Sequence, residues 1–414
     1  MAFFFSRDTK VFMQFAYDGT TANTALFEIP VLDGFSFSQG TNTSEVTLSE
    51  AANSTGYSKR GRAMFTDSFA PAEWSFSTYM RPTVSSSGNA GASNQHAGNA
   101  DVFAVEGPLW AAMSANTYDR SIGSDGTSDF ANNAATYEPK QFDFANSNQV
   151  TLGVFDLYFV LGASKDTDTE VYATGTEGVT VYKVANCSVG SASIDFDIEG
   201  IAQIGWSGNG QTVEEVATIN TAASGTTSLG LINEGISSTS NFVRQKLTDL
   251  AISFDVSAAT GTLGALNVDG NDVTYDVTLT GGNITIENNL TYLTPETLGT
   301  VNLPLGHVMG TRSVSGNFTC YLNDTANGSL DLFERLQESR GVITNAFDLT
   351  FSIGGSGNTP RCNVQVAKAH LELPTHSFED VVSVDVAFHG LSTDLSSGTA
   401  ANATNEVKVT YEAS

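Results

Sequence analysis

Apolar residues recur at every second position through much of the chain. Val364 and Val366, followed by Val382, Val384, Val386 and Phe388, mark two half-buried strands within residues 345–390. Residues 149–208 repeat this arrangement: Phe155-Asp156-Leu157-Tyr158-Phe159 is answered 192 residues later by Phe347-Asp348-Leu349-Thr350-Phe351. Val184-Ala185 is answered by Val366-Ala367, Phe196 by Phe378, Trp206 by Phe388 and Gly208 by Gly390, all at a spacing of 182. Nearer the N-terminus, Phe35 and Phe37 match Ile284 and Ile286 at 249, and Phe76 matches Phe318 at 242. Leu109-Trp110 and Met113 match Leu332-Phe333 and Leu336 at 223. The spacings fall steadily and the matched elements keep their order, so the chain reads as one β-domain written twice. Its duplicated core positions are Phe76, Trp110, Phe159, Phe196 and Trp206 in the first copy, and Phe318, Phe333, Phe351, Phe378 and Phe388 in the second.

The same pattern places individual elements. Strands are expected at 10–17, from Phe35 after the Asp33-Gly34 turn, at 73–80, and through 150–208. In the second copy they are expected at 242–254, 273–279, 283–290 and 315–322. Pro108 opens a short helix whose buried stripe is Leu109, Trp110 and Met113. A second helix follows Ser329, which is placed to cap it, with Leu332, Phe333 and Leu336 on one face. Residues 83–101 and 116–148 are polar excursions expected outside the core. The reading is therefore all-β with few short helices: two tandem related β-sandwich or barrel domains, each flanked by one helix. The first spans 1–208 with long polar insertions, 209–240 is a linker with room for a short helix at 213–218, and the second spans 241–414.

Composition narrows the function. The chain has 414 residues, of which 40% are hydrophobic and 15% charged, enough to fill well-packed cores. Asp and Glu number 45 against 18 Lys and Arg, for a net charge of −27. Such a surface repels phosphate and anionic lipid, which argues against gripping nucleic acid but not against nucleic acid sliding past. The densest positive cluster is Lys59, Arg60 and Arg62, either a solvated loop or a contact with a neighbouring subunit. Cys187, Cys320 and Cys362 are odd in number and lack CxxC spacing, so they read as buried thiols. No run approaches a membrane span, and MAFFFSRDTK lacks the basic start of a secretory signal, so synthesis in a cytoplasm is expected.

No catalytic constellation emerges. His370 and His376 come closest to a ligand pair, but no third ligand stands near them in sequence and HExxH is absent. Gly205-Trp206-Ser207-Gly208 hints at a nucleophile elbow, but Asn209 stands where the final Gly should be. Asp166, Asp168, Glu170 and Asp195, Asp197, Glu199 alternate as on one face of a strand. That arrangement could hold calcium, or could be simply a solvated hairpin. No phosphate-binding glycine loop is present. The reading is a protein without enzymatic activity, catalytic residues, metal or cofactor.

Residues 283–299 (NITIENNLTYLTPETLG), 304–322 (PLGHVMGTRSVSGNFTCYL) and 345–390 resemble tail tube proteins of long-tailed and contractile-tailed bacteriophages. Residues 69–82 (FAPAEWSFSTYMRP) look like the corresponding strand of the first copy. The resemblance implies domains whose inner strands form a continuous barrel in a ring, with rings stacking into the tail tube. Two domains per chain imply a trimeric ring with pseudo-sixfold symmetry. The implied partners are further copies of the chain and other tail proteins: sheath if the tail contracts, tape measure, terminator and baseplate. DNA would be present only transiently in the lumen, with no membrane partner, and the protein would reside in the virion tail. Two alternatives stay open on the residues alone. One is a secreted or surface β-sandwich adhesin, which would share the Ser, Thr, Asn and Gly richness. The other is a related tail-terminator or baseplate-hub protein.

Overall fold

The computed structural model describes residues 3–16, 24–47, 62–84, 102–114, 141–144, 152–163, 171–175, 178–220, 229–232, 242–254, 273–295, 297–338, 347–355, 360–378, 380–392 and 406–412. In chain order the first half contains β1 (Lys10–Ala16), β2 (Thr24–Ile29), β3 (Ser36–Thr47), β4 (Arg62–Tyr79), β5 (Pro82–Val84), β6 (Val102–Ala104) and α1 (Gly107–Ser114). It continues with β7 (Gln141–Asp143), β8 (Phe155–Leu161), β9 (Val171–Ala173), β10 (Thr180–Phe196), β11 (Gln203–Gly210), β12 (Thr212–Val216), β13 (Thr218–Asn220) and β14 (Leu229–Ile232). The second half contains β15 (Asp249–Phe254), β16 (Val273–Asp276), β17 (Leu279–Glu287), β18 (Leu290–Leu293), β19 (Gly306–Met309), β20 (Ser313–Tyr321) and α2 (Ser329–Glu338). It ends with β21 (Phe347–Ile353), β22 (Arg361–Leu371), β23 (Thr375–Phe378), β24 (Val382–Gly390) and β25 (Lys408–Glu412). The protein is thus all-β with few helices.

The long strand β10 builds two sheets. Its first half pairs with β8 on one side and β12 on the other, and β8 continues the outer sheet through β1 and β2 to β14. Its second half pairs with β11, which continues the inner sheet through β4 to β3. The change of partner falls at a bulge between Val184 and Cys187, where Asn186 takes a left-handed φ of 50° that asparagine tolerates. Strand β22 does the same in the second half, pairing early with β21 and β25 and late with β24, which leads to β20 and β17.

The two halves repeat each other in register. Val184 opposes Leu157 and Cys187 opposes Phe155 across one bulge; Val366 opposes Leu349 and Ala369 opposes Phe347 across another. These are the sequence spacings of 182 and 192. In the inner sheets Phe37–Trp74 and Trp74–Gly208 recur as Ile286–Val314 and Val314–Gly390. One match shifts: Phe76 faces Trp206, whereas Phe388 faces Gly316 and Phe318 faces Val386. With Trp206 matched to Phe388, the residue in the place of Phe76 is Gly316, and β4 maps onto β20 at 240 rather than 242. A slip of two residues keeps every side chain on the same face, so alternation alone does not detect it.

Three elements differ from expectation. Residues 213–218 are not helix: Val213 to Val216 lie in β12, which pairs with β10, and Thr218 opens β13, which pairs with β9, so part of the segment read as a linker extends the first outer sheet. Residues 141–144, expected in an insertion outside the core, include β7, which pairs with β25 and carries fully buried Phe142; Phe144, just after it, is fully buried too. Helix α1 buries all eight residues rather than one stripe, because it lies between the two halves. Ser329 does not cap α2. Its hydroxyl donates to the Tyr321 carbonyl, and its own amide donates to Asn323 Oδ1.

Candidate assembly interface

The two inner sheets are one sheet. The second half of β10 pairs antiparallel with β17 from Ser191–Glu287 to Phe196–Gly282, giving the order β3-β4-β11-β10-β17-β20-β24, with β23 and the end of β22 beyond β24. On the face turned to the core, the junction sets Ala192 beside Ile286 and Ile194 beside Ile284, all fully or almost fully buried. Aromatic rings lie over glycines here: the Phe196 ring covers Gly282 as Trp74 covers Gly208 and Phe388 covers Gly316. A Cβ on Gly316 would meet the Phe388 ring at 2.7 Å and the Asn283 carbonyl at 2.1 Å, so only glycine fits.

The opposite face is small and polar. Ser36, Ser38, Ser75, Ser77, Ser191, Ser193, Ser207, Thr285, Ser315 and Ser383 share it with Asn209, Asn283 and Asn317. Hydroxyl pairs cross the ladder, Ser36–Ser75 at 2.8 Å and Ser191–Ser207 at 2.7 Å. Asp385 accepts from Asn317 and Thr319, each at 3.0 Å. Glu73, Asp195, Glu287 and Asp385 are its charges, and the seven strand stretches that build this sheet (36–39, 73–79, 188–196, 203–210, 279–287, 313–321 and 382–390) contain no Lys or Arg. Ser207 therefore lies mid-strand on this face, with no strand-to-helix turn to make it a nucleophile.

The sheet ends in two edges. Among the described residues β3 pairs only with β4, and the end of β22 together with β23 pairs only with β24. Beyond β3 and β17, each half extends an arm: the outer parts of β3 and β4 in the first, β18 and β19 in the second. The second arm leans across the first half. Tyr292 donates its hydroxyl to the Asn186 and Asn209 carbonyls at 2.9 and 3.0 Å, and His307 Nδ1 lies 3.0 Å from Ser188 Oγ. Burial lowers the His307 pKa, so the ring is neutral at pH 7.

Buried polar groups fix one half against the other. Glu106, just before α1, is fully buried and accepts a short hydrogen bond (2.5 Å) from the Tyr411 hydroxyl of β25. Tyr411 accepts in turn from Trp110 Nε1 at 2.8 Å, and the Arg81 amide reaches Glu106 at 3.3 Å. Loss of solvation pushes the Glu106 pKa up to about 7. Nearby, Arg312 donates to Asn288, to the Phe144 carbonyl and to Glu406, while Asn288 donates to the Met113 and Val189 carbonyls. Neither cluster stood out in the sequence. An acidic residue before a helix looks like a charge placed for the helix dipole, and an isolated Arg looks like surface.

The sequence-predicted positions divide. Trp110, Phe159, Phe318, Phe351 and Phe388 are fully buried, with Phe76, Phe196 and Trp206 at 1–3% exposure. Trp110 and Trp206 meet edge-on at 4.7 Å between ring centroids. Phe333 is only half-buried, with its ring against His376. Phe378 is not a core residue: it is 80% exposed at the turn between β23 and β24, opposite Val382, while His376, opposite Val384, takes the place in the sheet that Phe196 takes in the first half. Lys59 and Arg60 lie outside the described residues; Arg62 opens β4. Asp166, Asp168 and Glu170 also lie outside them. Among the described residues no group of three or more His, Cys, Asp or Glu is placed to hold a metal. The three cysteines are buried and free, with burial raising each thiol pKa, for Cys320 to about 12.

The described residues thus form an all-β chain whose polar sheet ends in open edges. The chain is similar to tail tube protein pb6 of Escherichia phage T5, at 29% identity over 395 residues, which cover 95% of this chain and 73% of that protein. This likeness bears out the resemblance to phage tail tube proteins. No protein family profile matches the chain.

Proposed function

We propose that this chain is a structural tail tube protein of a virion, that three copies close into a pseudo-sixfold ring, and that rings stack around a lumen that DNA passes through. The observation that carries the reading is the β10–β17 pairing. It joins two copies of one domain by their inner sheets and leaves β3 at one end and β22–β23 at the other. The same pairing, repeated between chains, seats β3 of one copy on β22–β23 of the next and continues the sheet. The polar face then lines the lumen. Four carboxylates and no Lys or Arg in those stretches, with His389 held by Glu372 at 3.0 Å, offer DNA phosphates little to bind, so DNA slides. Other tail proteins meet the stack at its ends or outer wall. The two domains divide near the stretch after β14. Negative-stain microscopy of the purified protein tests this reading. Hollow stacked rings are expected, and a protein that stays monomeric in every condition overturns it.

A further inference from the structure

The two arms already touch within one chain. Ser68 of β4 bridges in parallel to Asn302: the Phe69 amide donates to the Asn302 carbonyl at 2.9 Å, and the Asn302 amide to the Asp67 carbonyl at 3.3 Å. Asn302 lies in the loop of the second arm, so that arm crosses the first half and ends on the first arm. The spacing of 240 that relates β4 to β20 carries Ser68 onto Val308 of β19; past the bulge at Asn42 and Thr43 it becomes 241, with Thr66 answering His307, which carries Asn302 back to the position just before Arg62, where β4 starts. Among the described residues β19 pairs only with β18, and Val308 is 48% exposed. Met64 and Phe65, beside Arg62, are 63% and 60% exposed, unusual for two consecutive large apolar residues on a strand.

We infer that the first arm of each chain docks on the second arm of its neighbour, with the start of β4 at Arg62 lying along Val308 as Asn302 lies along Ser68 within the chain. The partner is a second copy of this protein, and the contact covers Met64, Phe65 and Val308. Repeated around a ring, the arms form a closed collar at one rim, a seam separate from the β3 to β22–β23 pairing. The inference rests on the ring reading, and its direction follows from the chain itself. The second half sits at the β10 edge of the first and leans back across it; a neighbour's first half sits at the β22–β23 edge and leans back in the same sense.

The test is the double variant Arg62→Cys with Val308→Cys, purified as full-length chain, assembled and oxidised mildly. The three native cysteines are buried and do not compete. A covalent trimer is expected as the main species on a non-reducing gel, absent from either single variant. Rings seen by microscopy without the cross-link overturn the collar and leave the ring reading intact; a covalent dimer without trimer overturns it too. Absence of rings from the unmodified protein overturns both. As a second measurement, Val308→Asp should keep the wild-type circular dichroism spectrum and lose rings under conditions where the wild type keeps them. An unchanged ring yield would contradict the collar.

Discussion

Glu106 is the residue whose environment departs furthest from its chemistry. It holds its proton to about pH 7 in the folded chain, against 4.5 for an exposed glutamate. Between those values the folded state keeps a proton that the unfolded state gives up. Stability is therefore fully present below about pH 4.5, falls as pH rises toward 7 and stays low above it, by on the order of 3 kcal/mol. Glu106→Gln mimics the protonated form, so the gap in melting temperature between pH 5 and pH 8 should shrink in that variant; an unchanged gap would assign the pH dependence to other groups. The close-approach glycine makes a second residue-scale claim. Gly316→Ala should destabilise by about 1–3 kcal/mol, because its Cβ has a carbonyl and a ring in its path. Gly306→Ala, where nothing lies within 4 Å of the new atom, serves as the neutral reference in chemical denaturation.

Among the elements, β25 does more than its length implies. Val409 and Tyr411 are fully buried, and the strand joins β22 to β7, which comes from the first half of the chain. A chain truncated before residue 406 should lose its cooperative melt and become insoluble, since it uncovers both edges and leaves Glu106 without its partner. A truncated chain that melts like the full one would refute this role. The legible elements were those whose period 2 pattern is long and apolar, such as β8, β21, β22 and β24. The register between them was legible as well, because Val184 and Val366 sit beside the same bulge. Elements that failed are those shaped by contacts across the halves. β7 is three residues in a polar stretch and is a strand only because β25 lies beside it. β12 carries Glu214 and Glu215 in a helix-like composition and is held by pairing with β10. Phe378 matches Phe196 in sequence, yet Phe196 is buried against a sheet that continues into β17, and Phe378 lies on β23, which among the described residues pairs only with β24. That exposed edge is what the sequence could not show and what assembly would fill.

For the whole molecule, charge and symmetry carry the account. The net charge of −27 is not all on the polar face, which contributes four carboxylates, but the absence of Lys and Arg there is what sliding requires. Ser193→Lys with Ser207→Lys should leave folding unchanged and give assembled tubes a salt-sensitive affinity for DNA that wild-type tubes lack, measured as retention of labelled duplex at low and high salt. Equal retention by both would place that face elsewhere than the lumen. The central claim is that one chain supplies two of six equivalent places. The mass of the smallest stable ring, measured by native mass spectrometry, tests it most directly: the account predicts three chains of 43.6 kDa each, and six chains per ring would contradict it.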